Sequence, residues 1–288
     1  MNSPFKTLSE HRCFGGVMQF LEQESSEIGL PMRFSVFLPP QAAQGPVPTL
    51  LYLAGLTCNE ETFMVKAGAQ RRAAELGLAL IAPDTSPRGA SAEGLPGATA
   101  SWDFGIGAGF YLDATEAPWS THWRTESWLM KELLPAVTQQ LPISPNRIGI
   151  FGHSMGGHGA LTLALRHPGR FRSLSAFAPI CAPSQCPWGE KAFTGYLGSD
   201  RAAWSAHDAS ALMQSQSAVP YPEGILVDQG LADKFLAEQL YPEHLEAACA
   251  AVGQPLQLRR HEGYDHGYYF IQSFVADHLA HHAKILNA

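Results

Sequence analysis

One pentapeptide constrains this chain more than any other stretch: Gly152-His153-Ser154-Met155-Gly156, with Gly157 behind it. Before it stands Arg147-Ile148-Gly149-Ile150-Phe151, short and apolar as a buried strand is. After it, Met155 to Leu165 is rich in Ala, Leu and Gly, as a packed helix is. Strand, sharp turn and helix are the context that makes G-x-S-x-G a nucleophile elbow. The serine of such a turn sits on strained backbone, so the positions two before and two after it must be small. Gly152 and Gly156 fill them. A helix starting at Ser154 presents free N–H groups and a positive dipole end where an oxyanion forms. The pentapeptide also arises by chance in Gly-rich chains, and this one has 27 glycines. The flanking strand and helix carry the reading, which is a serine hydrolase.

The rest of the chain supplies a matching scaffold. Gly16–Glu22 and Met32–Leu38 alternate partly and read as an antiparallel pair. Thr49–Ala54 and Leu78–Pro83 are continuous apolar runs, as expected of buried strands. Helical character follows over Glu61–Leu76 and over Arg124–Leu141, where Pro135 is placed to kink the helix. Beyond the elbow come strands at Ser173–Ala178, Gly224–Asp228 and Leu256–Arg260, with helices at Phe235–Val252 and Gly267–Leu286. This makes eight strands, with helices alternating from the third onward. The pattern predicts an α/β-hydrolase fold: a mostly parallel sheet covered on both faces, in one domain spanning 1–288. Asp84 to Thr121 has no clear period and is rich in Gly, Pro, Ser and aromatics. Long loops of this kind line or cover sites.

Composition excludes several classes. The net charge is −7 without a Lys/Arg run, which argues against nucleic acid and against an anionic membrane. No apolar run is long enough to span a bilayer, and Met1 to Gly16 has no apolar leader core. Five cysteines with no C-x-x-C pair suit a reduced, cytoplasmic compartment. His278, His281 and His282 are expected on a solvated helix face, without a metal, because no acid or cysteine is spaced with them.

A serine hydroxyl needs a base, and in this fold the order is Ser, then acid, then His. His266 lies in Glu262-Gly263-Tyr264-Asp265-His266-Gly267, a loop entering the last helix, and is preferred over His261 at the strand end. His153 and His158 are too close in sequence, and the elbow is expected to turn His153 away from the reacting face. For the acid, Asp233 is preferred over Asp228, which ends its strand, and over Asp265, which is adjacent to the histidine. Asp233 also suits a helix N-cap. Its task would be to hold the imidazole in one tautomer. The oxyanion hole needs the N–H of the residue after the nucleophile, Met155, and one from the loop after the third strand. Gly55 lets that backbone come close, and Leu56 is the expected donor. Cys58, two residues on, reads as a small buried residue rather than a nucleophile.

Several stretches together resemble the S-formylglutathione hydrolase (esterase D) family. They are Leu53-Ala54-Gly55-Leu56-Thr57-Cys58-Asn59-Glu60, Ala82-Pro83-Asp84-Thr85-Ser86-Pro87-Arg88-Gly89, Gly107 to Thr115, the elbow, Pro187-Trp188-Gly189, Asp228-Gln229-Gly230 and Glu262 to His266. Ala54 stands where the family usually has serine; either residue is small. The resemblance implies a cytoplasmic thioesterase acting on S-formylglutathione, with Ser154, Asp233 and His266 as its triad. It implies no metal and no bound cofactor, and a homodimer. A formyl group predicts a narrow acyl pocket, with Trp102, Trp119 and Trp188 as candidate walls. Arg88 or Lys191 would meet the glutathione carboxylates. The rival readings are a short-chain carboxylesterase, a non-catalytic binding protein of the same fold, and a thiol enzyme using Cys58.

Overall fold

The computed structural model describes residues 4–288. One nine-stranded sheet runs through it in the order β1-β2-β3-β5-β4-β6-β7-β8-β9. The strands are β1 (Phe5–Cys13), β2 (Gly16–Glu24), β3 (Pro31–Leu38), β4 (Val47–Leu53), β5 (Ala79–Pro83), β6 (Ile143–His153), β7 (Ser173–Phe177), β8 (Ile225–Gly230) and β9 (Leu256–His261). Pairings among β1, β2, β3 and β5 are antiparallel, and from β5 through β9 every pairing is parallel. The α/β-hydrolase plan therefore holds, with nine strands instead of the expected eight.

The extra strand is β1. It is mostly exposed on both faces, so it shows no apolar alternation in the sequence. Pairing with β2 makes it a strand, through the two-residue turn Phe14-Gly15, both at positive φ. Turns of that handedness match the twist of hairpin strands. In the interior, every residue of β4 and β5 is buried, which explains their unbroken apolar runs.

The helices are α1 (Thr62–Lys66), α2 (Ala69–Leu76), α3 (Ala90–Glu93), α4 (Thr125–Ser127), α5 (Leu134–Gln140), α6 (Met155–Arg166), α7 (Pro187–Leu197), α8 (Arg201–Trp204), α9 (Ala209–Gln214), α10 (Pro242–Val252) and α11 (Tyr268–Leu286). The helix expected over Glu61–Leu76 breaks at Gly68, whose φ is +65°. The one expected over Arg124–Leu141 is continuous but carries a π turn, Trp128–Leu133, just ahead of Pro135, where the proline removes a backbone donor. Helix α7 forms where the sequence, with its Pro, Cys and Trp residues, suggests a loop; Cys186 caps it, accepting the Gly189 N–H at 3.4 Å.

Faces are assigned by β6. Phe151 lies 5.5 Å from the His282 ring of α11, while the backbone of Gly152 touches α6. Helix α11 is also where one expectation fails. His278 and His282 are fully buried, not solvated. Ser173 and Ser175 hydrogen-bond His282 at 2.6 and 2.8 Å, and His278 bridges Ser175 and Asp228 at 2.8 and 3.2 Å. Strands β7 and β8 supply those partners, which sequence spacing along one helix does not reveal.

Candidate active site

The elbow forms at the junction of β6 and α6. Ser154 adopts φ +56° and ψ −120°, a region that disfavours any Cβ. Close packing forces this. A Cβ on Gly156 would stand 2.0 Å from the Leu53 carbonyl oxygen, and one on Gly152 would stand 2.2 Å from that of Gly156. Both glycines are needed for the chain to pass.

A cavity of about 220 Å³ opens at Ser154. Gly55, Leu56, Cys58, Trp102, Trp188 and His266 line it with Ser154. Three further walls, Thr57, His153 and Phe235, are not among the site residues expected from the sequence. A larger groove of about 1030 Å³ lies elsewhere, beside Glu126, Arg166 and His167. Its volume does not make it the candidate: His167 pairs with Glu126 there at 2.8 Å, but no residue lining it has the strained positive-φ backbone of Ser154.

Loops after β8 and β9 are stitched together. Leu231 N–H donates to His261 O and Ala232 N–H to Tyr264 O, each at 2.9 Å. This stitching brings Asp233 to His266, where Nδ1 lies 2.5 Å from Asp233 Oδ2. The other Asp233 oxygen accepts the Phe235 N–H at 2.8 Å, so the carboxylate cannot swing. Asp228 is committed differently. Arg259 grips both its oxygens at 2.6 Å, and His261 and His278 each approach to 3.2 Å. Burial pushes this carboxyl up, but hydrogen bonds from His278 and Arg259 outweigh burial and hold it below the usual range. Asp265 caps Gly267.

His153 corrects the sequence reading. It lines the cavity, with its ring 4.5 Å from that of His266. Burial and the neighbouring His266 drive its pKa well down, so it stays neutral. His158 points elsewhere, into Phe110 and Phe193.

Gly55 runs tight against the serine: a Cβ there would lie 3.2 Å from Ser154 Cβ. Neither the Leu56 nor the Met155 N–H donates to another backbone carbonyl among the described residues. Trp102 and Trp188 meet edge to face at 5.5 Å. Trp119 does not join them; it packs on Phe104, Trp123 and Tyr196. Lys191 is also outside the cavity. It bonds Ser101 Oγ at 2.8 Å and pairs with Asp103, tethering the Trp102 loop to α7. Arg88 is bidentate on Asp84 and reaches Cys58 O. Burial raises the Cys58 thiol, keeping it protonated.

The model of the "Putative esterase" family matches residues 25–281. An S-formylglutathione hydrolase of Rattus norvegicus is 51% identical over 284 residues, covering 98% of this chain and 99% of that protein. One of Paracoccus denitrificans is 50% identical over 286 residues, covering 99% and 100%. Among solved structures, an S-formylglutathione hydrolase from Agrobacterium tumefaciens superposes with a TM-score of 0.92 at 45% identity, covering 98% and 99%.

Proposed function

The chain belongs to the esterase family of hydrolases, with S-formylglutathione hydrolases among its relatives, and from that premise we propose that it hydrolyses S-formylglutathione to glutathione and formate. One observation carries the residue roles: the His266–Asp233 hydrogen bond of 2.5 Å, with His266 in the same cavity as the strained Ser154. The mechanism is a two-step acyl transfer. His266 takes the Ser154 proton as the hydroxyl attacks the formyl carbon, and Asp233 holds the ring with Nε2 free for that task. The Leu56 and Met155 N–H groups receive the oxyanion, each worth about 3 kcal/mol in the transition state. The tetrahedral adduct collapses, the C–S bond breaks, and the thiolate leaves with the proton from His266. Water, deprotonated by His266, then attacks the formyl-serine; as the C–Oγ bond breaks, His266 returns that proton to Ser154 and formate is released. The protonated Cys58 thiol speaks for the serine as nucleophile.

From the family resemblance we also carry over a homodimer in the cytoplasm; light scattering on the purified protein tests the first. The test of the reaction is turnover of S-formylglutathione by the wild type beside Ser154→Ala. Fast turnover that vanishes in the variant is expected. Slow wild-type turnover with fast hydrolysis of a short aryl ester would replace the substrate while keeping the triad.

A further inference from the structure

A cavity of about 220 Å³ is smaller than the ~300 Å³ at which sites begin to enclose whole drug-sized ligands. It holds a formyl group and a sulfur, not a tripeptide. The peptide half of the substrate must therefore lie outside it, and that half carries two carboxylates. The cations expected to meet them are already engaged: Arg88 by Asp84, and Lys191 by Asp103.

A second cavity of about 410 Å³ is lined by Lys66, Tyr268, Tyr269 and Gln272. It adjoins the first through Tyr268, whose ring lies 6.1 Å from that of His153. Tyr268 stands two residues beyond His266, at the start of α11, so the groove is built on the same loop as the base. Lys66 ends α1, and its Nζ stands 5.8 Å from the Tyr268 ring. It has no carboxylate partner among the described residues. Its field reaches the reaction cavity. Burial raises the Cys58 thiol, and the Lys66 charge is one of the groups that offset the rise. Tyr269 is 85% exposed, an aromatic face left open beside the ammonium.

We infer that this groove receives the glutathionyl half of the substrate, with Lys66 Nζ binding one of its carboxylates and Tyr269 flanking the peptide. The inference rests on the proposed reaction and deepens it. Lys66 is a specificity residue: it selects the leaving group and takes no part in acyl transfer. Lys234, beside the cavity wall Phe235, is a competing cation, but its ammonium sits over the Phe235 ring, 4.9 Å from the centroid, and lines neither of the two cavities.

The probes are S-formylglutathione and the formyl thioester of 2-mercaptoethanol, which shares the acyl group and the sulfur but has no carboxylate. The readout is the ratio of kcat/KM for the first to the second. Loss of one exposed ion pair lowers such a ratio about 3-fold, and charge reversal about 10-fold. Lys66→Ala and Lys66→Glu should show those falls, carried by KM. Lys66→Arg should restore most of the ratio. Added salt should lower the wild-type ratio and leave that of Lys66→Ala flat. An unchanged ratio in Lys66→Glu, or a fall seen only in Lys234→Glu, overturns the assignment. Slow wild-type turnover of both thioesters would instead overturn the reaction on which it rests, so the two failures are distinct.

Discussion

Strain at Ser154 predicts an unusual stability ordering of two variants that lack its hydroxyl. The residue holds φ +56° and ψ −120°, where a Cβ costs about 1–3 kcal/mol and glycine costs nothing. Ser154→Ala and Ser154→Gly both remove the hydroxyl, but only the glycine removes the Cβ. Glycine loses more chain entropy on folding, about 0.5–1 kcal/mol relative to alanine. The Cβ borders the cavity rather than the packed core, so its removal leaves no closed void. The glycine variant should thus be about 1 kcal/mol more stable than the alanine variant. Unfolding a chain of 288 residues carries an entropy of about 0.6 kcal/mol/K, so the glycine variant should melt about 2 °C higher. Differential scanning calorimetry on the two proteins side by side measures this directly. An alanine variant that melts at or above the glycine variant would refute stored strain at the elbow.

Three more expectations follow from the same geometry. Asp233→Asn keeps the size of the side chain but no longer selects the His266 tautomer, so kcat should fall by up to about 10⁴ with the circular-dichroism spectrum unchanged; a drop below tenfold would give the role to another acid. Burial and Asp84 raise Glu60 to about 7. The folded state therefore binds this proton more tightly than the unfolded chain, and the stability it contributes is full below pH 4.5 and lost as pH rises through about 7. Glu60→Gln should remove up to about 3 kcal/mol of that pH dependence in urea titrations at pH 5 and 8, and equal slopes for both proteins would rule the cause out. Lys191→Met frees the Trp102 loop, and because such a half-exposed pair is worth at most ~1 kcal/mol, KM should rise no more than about 5-fold, equally for a neutral ester and for S-formylglutathione. A rise confined to the glutathione thioester would instead make Lys191 a direct contact.

Short-range rules account for everything that could be read from the residues alone. The elbow needs small residues within two positions of Ser154, and both glycines are local. Buried parallel strands must be apolar throughout, so β4 and β5 announce themselves, and strand–helix alternation dictates the hydrolase plan. Asp233 and His266 could be picked out as candidates because chain order in the fold narrows each to one loop, and the structure brings them within 2.5 Å of each other. Long-range packing decided the rest. β1 is a strand only because β2 pairs with it across Phe14-Gly15. His278 and His282 look like a solvated face along one helix, yet Ser173, Ser175 and Asp228 come from strands about 50 to 110 residues away in the chain. Only the fold reveals that His153 turns into the cavity, that Lys191 and Arg88 already have carboxylates, and that Lys66 does not. A charge's partner is a matter of distance in space, and sequence separation does not report that distance.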